Sequence, residues 1–368
     1  MISSIKLENF KSIKQHRFPL RNLNVALGLN GMGKSSFIQS ILLLKQSFDL
    51  ITSGKLHLNG ALVEVGSGKD LFYQYSKADD ISIEIAFSDK TNKRFSFAYE
   101  SESNILASKE KEIIYDQSLQ NAIFSNNCQY LSASRIDPRV IHSKSYVSVI
   151  TLHNIGIHGE YTAHYLHVFG NNDITFPNLK HPKSSTLLLM EQVNRWMGEI
   201  STGVKFNTTE IPNTDNILLD MQFEQPNLGY TKRFKPTNVG FGISYVLPVV
   251  TALLAAKQGE LIIIENPESH IHPRGQAELG KLIALVAMND VQVIIETHSD
   301  HILNGIRVAV KENDLTSEKV QLFYFERKVE DTEQFSKITN IEIYPNGDLS
   351  TYPQNLLEEW SRQLIKLV

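Results

Sequence analysis

Gly28-Leu29-Asn30-Gly31-Met32-Gly33-Lys34-Ser35 is a run of residue types that can do phosphate chemistry. It fits G-x-x-x-x-G-K-[ST], in which small residues let successive backbone N–H groups curl around an anion. Lys34 has the reach for the β- and γ-phosphates of ATP, and the Ser35 hydroxyl can ligate Mg2+. Asn30, Gly31, Met32, Gly33 and Ser36 complete the expected cradle. A helix starting near Lys34 would add the positive end of its dipole.

Two further stretches carry matching chemistry. LIIIENPESHIHP (Leu261 to Pro273) opens as an apolar run and closes on an acid, an Asn, a Pro and a second acid. Glu265, at the end of that run, is expected to hold Mg2+ together with Ser35. Past the next apolar run stands Thr297-His298-Ser299. His298 is expected to hydrogen-bond the γ-phosphate, while Ser299 or Asp300 caps the helix starting at His301. NVGFGISYVLPVV (Asn238 to Val250) is a second glycine-rich helix start, with Gly240, Gly242 and Ser244 facing phosphate and Pro248 near the first turn. One chain rarely wraps one nucleotide with two such loops. This one is therefore assigned to the ATP of another subunit.

The elements that must hold these groups follow from periodicity. Ile2 to Phe10 alternates apolar and polar residues like a half-buried strand, and Leu23–Leu27 is a second strand. FIQSILLLKQSF after the loop is apolar nearly all round, so it predicts a buried helix. Strand-like segments follow around Ala61–Val65, at Ile81–Phe87 and at QYLSASR (Gln129 to Arg135). Between Ile141 and Asn227 the pattern turns irregular, punctuated by Pro182, Pro212 and Pro226, with one amphipathic helix expected at Ser184–Ile200. Leu261–Ile264 reads as a central parallel strand, Pro273 opens a helix to about Met288, and Val291–Ile295 completes a βαβ unit. LFYFER, a hairpin turning at Asn346-Gly347, and a helix at Asn355–Leu367 end the chain.

Composition sets limits. The chain has 368 residues, a formal charge of −4 and one cysteine. An internal disulfide framework is excluded, and a reducing cytoplasm is the expected compartment. Any nucleic-acid contact must come from a local patch, such as Lys232, Arg233 and Lys235 or Arg135 and Arg139. A solvated charged face is the plainer reading of the first cluster. The N-terminus lacks the pattern of a signal peptide, and the apolar run Tyr245 to Ala256 is too short to span a bilayer, so no membrane is expected. His270 and His272, two apart, do not form a metal pair on one helix face.

These pieces, in this order, resemble an ABC-type head of the SMC, RecF and OLD (overcoming lysogenisation defect) group. IKLENFKSIK resembles its opening strand, GLNGMGKSS its Walker A, IIIENPESHIHP its Walker B running into the D-loop, and IIETHSDHIL its switch-histidine region. VGFGIS stands where the ABC signature would be, although it is not LSGGQ. LSASRIDPR, NIGIHGEYTAHYL and IEIYPNGDLSTYP resemble a bacterial set of compact AAA-type ATPases with a small C-terminal β/α tail. The resemblance implies an α/β P-loop NTPase with a mixed sheet, flanking helices and a helical or irregular lid insert. Residues 1–140 and 236–310 would be the two halves of the head, 141–235 the lid and 311–368 the tail. It implies ATP and Mg2+ as ligands, a homodimer sandwiching ATP between heads, a higher oligomer as an open alternative, and a separately encoded nuclease partner in anti-phage defence. A RecF-like DNA-binding factor and a non-hydrolysing ATP sensor remain alternatives.

That resemblance sharpens two positions. Asn266 stands where the family places its water-activating Glu. An amide cannot take that proton, though it can orient a water. Glu268 is the remaining local carboxylate, and hydrolysis is expected to be slow. A Q-loop residue is not placed: Gln129 is expected to precede its strand, leaving Ser134 and Arg135 at the likelier position.

Overall fold

The computed structural model describes residues 1–51, 53–110, 122–225, 227–357 and 359–367. From the N-terminus, β1 (Ile2–Phe10) and β2 (Ile13–Pro19) pair antiparallel, and β3 (Leu23–Gly28) leads into the glycine loop and α1 (Lys34–Gln46). Then come α2 (Phe48–Ile51), β4 (Lys55–His57), α3 (Gly68–Leu71), β5 (Asp80–Phe87), β6 (Asn92–Ala98) and β7 (Ile105–Ala107). One antiparallel sheet runs β2-β1-β5-β6. In β1 the buried Ile5 and Leu7 alternate with half-buried Lys6 and Glu8 as the pattern predicts, while Ile2, beyond a register shift, and Phe10 are buried out of that phase. Ala61–Val65 is not a strand; it makes only an isolated pairing of Glu64 with Asn59, because the Gln46 side chain takes the Leu62 and Val63 amides.

The next segment opens with β8 (Cys128–Leu131), β9 (Ile141–Ser143), a π-helical stretch (Tyr146–Thr151) and α4 (Thr162–Phe169). It continues with α5 (Leu189–Ile200), β10 (Val204–Glu210), β11 (Asn216–Gln225), β12 (Gly229–Tyr230) and α6 (Phe241–Leu254). β13 (Leu261–Glu265), α7 (Pro273–Met288), β14 (Gln292–Glu296) and α8 (Asp300–Lys311) complete it. β13 lies parallel to both β8 and β14, so both its faces are covered and its run of Ile is unbroken. The segment that reads as irregular is well ordered: β10 and β11 form a seven-pair antiparallel ladder. α5 starts at Leu189 rather than Ser184, because Gln192 folds residues 181–186 into a loop by bonding the His181 amide, Ser184 Oγ and the Thr186 carbonyl. Pro226 lies outside the described residues.

β15 (Val320–Val329) then runs parallel to β3 and antiparallel to β16 (Gln334–Ile341). The terminal helix, α9 (Glu359–Leu367), begins later than its sequence pattern suggests. Asn346-Gly347 does form a turn, closed by the Tyr344 amide on the Asp348 carbonyl at 2.7 Å. The hairpin expected there is present but too short for named strands: the Ser350 amide donates to the Glu342 carbonyl at 2.9 Å, and Arg307 Nε holds the Gly347 carbonyl. The longer C-terminal hairpin is β15–β16.

Two compact units result: Met1–Asn127 with Val320–Glu342 and Leu349–Val368, and Cys128–Lys319 with Ile343–Asp348. In the first, Phe18 of β2 stacks on Phe37 of α1 with centroids 4.4 Å apart, and Phe323 of β15 meets Phe18 edge-on at 5.3 Å. All three rings are fully buried. Each contributes about 1.5–3 kcal/mol by leaving water, which pins the start of α1 and with it the glycine loop. No helix among the described residues is long and apolar enough to cross a membrane.

Two glycines are required by close approach. Gly28 sits at φ 134°, and a Cβ there would stand 2.2 Å from the Phe325 carbonyl oxygen of β15. A Cβ on Gly242 would stand 2.1 Å from the His270 carbonyl oxygen, whereas one on Gly240 would meet nothing within 4 Å. Gly28→Ala and Gly242→Ala are each expected to destabilise by about 2–4 kcal/mol, and Gly240→Ala by less than about 0.5, in denaturant midpoints. Equal effects at 240 and 242 would contradict this packing.

Candidate functional site

In the first unit the glycine loop turns where its sequence demands, with Gly31 and Gly33 at φ 74° and 102°. α1 begins at Lys34, as expected, with no acidic residue in its first turn and no side-chain cap. The positive end of the helix dipole therefore lies at the loop with no acidic side chain to offset it. Lys34 is buried at 3% exposure, and its ammonium donates to the Gly28 and Leu29 carbonyls at 2.9 Å each. Asn30, Gly31 and Ser35 are exposed, Met32 and Gly33 half-buried, and Ser36 is buried beneath them. Ser336 Oγ donates to the Met32 carbonyl at 2.7 Å and so braces the loop from β16.

Beside this loop lies a cleft of about 340 Å³ that sequence reasoning did not find. Its walls bring Lys11, Lys69 and Arg327 together with Phe72, Tyr73 and Phe335. Cations and ring faces next to a phosphate loop suit a nucleotide's phosphate, ribose and base. Burial lowers the Lys11 ammonium pKa, opposed by the charge of Asp70. The IKLENFKSIK signature hinted at Lys11, which turns the β1–β2 hairpin at φ 50°. Arg327 had no local signal, because only the β3–β15 pairing brings it near Gly31.

The second unit gathers the acids. Glu265 ends β13 opposite Glu296 at the end of β14. Glu265 Oε2 accepts the Ala133 amide at 3.1 Å. Burial pushes the Glu265 carboxyl up, against the Ala133 amide, the Tyr130 hydroxyl and Arg135. A cation placed beside this carboxylate would offset the cost that burial puts on its charged form. Among the described residues no group of three His, Cys, Asp or Glu side chains is placed to hold a metal. Glu265 itself is a hard oxygen donor of the kind that Mg2+ takes one or two of, with phosphates and waters completing its shell. Asn266 leaves the strand at φ 44°, in left-handed space, and its amide donates to the Glu296 carbonyl at 2.8 Å. Arg135, 4% exposed, reaches the carbonyls of both Glu265 and Asn266. Burial pushes this guanidinium down to about 10, opposed first by Glu268 and then by Glu265.

Glu268 Oε1 accepts the His298 amide at 2.9 Å, while Oε2 is enclosed without a hydrogen-bond partner. The His298 side chain is exposed. Ser299 caps α8, accepting from the His301 and Ile302 amides at 3.1 Å each. Gln129 lies inside β8 rather than before it, and ties that strand to the Ile155 amide and Gly156 carbonyl. That duty is structural.

α6 starts at Phe241 with Gly240 as its cap and no side chain closing its end. Phe241 is 54% exposed. Ser244, however, is buried, and its Oγ is closed off without a partner, so it offers no hydroxyl to an outside phosphate. Pro248 lies inside the helix and not near its first turn, because the helix begins at Phe241. Among the basic candidates, Arg233 pairs with Asp220 at 3.2 Å and Lys232 lies over the Phe234 ring at 5.7 Å.

Comparison with known proteins agrees with this layout. Residues 1–137 match the family "AAA ATPase domain", 165–304 match "AAA domain, putative AbiEii toxin, Type IV TA system", and 315–367 match a protein family of unknown function (DUF3696). No curated protein matches the sequence significantly. Among solved structures, an SMC head bound to the C-terminal winged-helix domain of ScpA superposes with a TM-score of 0.56 at 13% identity, covering 93% of this chain and 98% of its own. The Pyrococcus furiosus SMC head with an extended coiled coil, bound to the C-terminal domain of ScpA, gives 0.53 at 11% identity, covering 100% and 99%. The chain therefore has the α/β fold of SMC head domains, and segments in both halves are similar to AAA domain families.

Proposed function

We propose that this chain is a slow ATPase that closes into a homodimer around ATP and thereby switches a separate effector. The carrying observation is the Lys34 loop, set between β3 and α1 in an SMC-head fold. In this reading the loop from Asn30 to Ser36 and the adjoining cleft take ATP. Ser35 and Glu265 hold Mg2+, which neutralises developing phosphate charge, and His298 binds the γ-phosphate. Asn266 orients the attacking water. Gly240 and the open start of α6 meet the nucleotide of a second copy, with Gly242 serving packing. The effector is a separately encoded nuclease in bacterial defence, supported by the OLD-group resemblance. DNA bound directly, as in a RecF-like factor, is the rival reading, and the net negative charge weighs against it.

Three outcomes follow. ATP with Mg2+ should raise the melting temperature of the wild type and leave Lys34→Ala unmoved. It should also shift the wild type from monomer to dimer in light scattering, while Gly240→Glu binds ATP and stays monomeric. A Lys34→Ala protein that still binds ATP would sink the proposal.

Burial raises the Glu265 pKa. Its ionisation therefore costs stability, a cost absent below the ordinary carboxylate pKa and complete once pH has risen through the raised value. Glu265→Gln should then melt higher than the nucleotide-free wild type at roughly pH 7–8, with the gap closing toward about pH 4, while turnover drops about 100-fold or more. A gap of opposite sign in melts across pH would reject this account.

Asn266→Asp keeps a residue that tolerates left-handed backbone and supplies a proton acceptor. It should hydrolyse faster than wild type in single-turnover assays. An unchanged or lower rate in a protein of wild-type stability would show that the missing acid does not limit hydrolysis.

A further inference from the structure

We propose that Arg135 and Glu268 are positioning residues, one clamping the backbone of Glu265 and Asn266 and the other anchoring the backbone of His298. The inference rests on the ATPase reading for its kinetic meaning, but its structural half stands alone.

Four observations converge. Arg135 follows β8 and spends its two terminal nitrogens on consecutive carbonyls, Asn266 at 3.1 Å and Glu265 closer still. Those carbonyls flank the point where β13 turns left-handed at Asn266. The strand ladder ends at Glu265, and beyond it the Asn266 carbonyl also accepts from the Ser269 amide at 3.3 Å and Ser269 Oγ at 3.1 Å, so Arg135 joins the tight turn to the strand end rather than holding it alone. Glu268 spends Oε1 on the His298 amide, thirty residues away in sequence and at the end of the neighbouring strand. Arg135 and Glu268 are coupled by charge, Glu268 being the carboxylate that acts most strongly on the guanidinium. Arg135 thus holds positions 265 and 266, and Glu268 holds position 298.

This arrangement reassigns Glu268. A general base must offer an oxygen to a water. One Glu268 oxygen is taken by a backbone amide and the other is enclosed. What Glu268 does is accept, and an amide oxygen can accept the same bond, though more weakly than a charged carboxylate oxygen. Arg135 differs: its forked geometry suits two carbonyls at once, which a lysine meets only in part.

The experiment uses the full chain with Glu268→Gln, Glu268→Ala, Arg135→Lys and Arg135→Gln, each checked by thermal melting. The first readout needs no nucleotide: amide hydrogen exchange at His298. Glu268→Ala should speed it about tenfold or more, and Glu268→Gln by less than about threefold. Unchanged exchange in Glu268→Ala overturns the anchor, whatever the ATPase does. The second readout is steady-state hydrolysis across pH. Glu268→Ala should lower kcat about tenfold or more with KM for ATP shifted less than about threefold. Glu268→Gln should keep most of kcat and the wild-type pH profile. Arg135→Gln should lose kcat, and Arg135→Lys should recover part of it. If Glu268→Gln falls as far as Glu268→Ala and loses the acid limb of the profile, Glu268 is the base and the assignment is wrong. If both Arg135 variants match wild type in kcat, the clamp is wrong. A wild type without turnover would fail the ATPase reading alone, and His298 exchange would still decide the anchor.

Discussion

Asn266 leaves β13 with its backbone in left-handed space, held there by its amide on the Glu296 carbonyl and by Arg135 on its own carbonyl. Left-handed backbone is cheap for Asn, Asp and Gly and costs other residues roughly 1 kcal/mol or more. The turn sends Pro267 into the core and brings Glu268 back toward the end of β14, where it meets the His298 amide. A residue that kept extended backbone at 266 would carry Glu268 away from that amide. The identity at 266 therefore has a conformational cause as well as a chemical one. An Asn where a catalytic Glu is expected is thus one of the few side-chain-bearing residues that this turn accepts cheaply.

The phosphate loop answers to a different constraint. Gly28 passes under the Phe325 carbonyl too closely for any side chain, and Phe37, one turn into α1, is locked between Phe18 and Phe323. Loop geometry is thus set from outside the loop, by β15 and the aromatic core. In the proposed ATPase the consequence would be preorganisation, since the loop is held in shape before any phosphate arrives. Lys34 makes two carbonyl contacts that hold its buried ammonium meanwhile.

What the sequence made legible was local. The Pro273–Met288 helix, the Ser299 cap and the Lys34 helix start were all readable, because each is decided by residues within a few positions. Arg135 and Glu268 could be listed but not interpreted, since their meaning lies in bonds to residues some 130 and 30 positions away. Gln129 was misplaced because a strand edge cannot be fixed by pattern when Tyr130 and Leu131 continue it. Ser244 looked like a phosphate ligand from its spacing after Gly242, yet on a helix that spacing turns it inward. The glycines of the same stretch divide likewise: Gly242 is needed by its neighbour, and Gly240 is open to whatever approaches.

A slow hydrolase need not be a weak switch. Ligand binding alone favours the bound state by about 2.7 kcal/mol when ATP stands at 100 times its Kd, roughly a hundredfold shift in a two-state equilibrium. The rate of hydrolysis adds nothing to that shift; it sets how long the shifted state persists. In this light the ENPE turn gains a physical logic. With Asn at 266 and both oxygens of Glu268 withdrawn from water, no carboxylate of the turn beyond Glu265 is exposed to a nucleophile. In the proposed ATPase the turn would keep its backbone order without a second carboxylate to take the proton. That is the balance expected where the duration of a closed, ATP-bound state matters more than the number of turnovers.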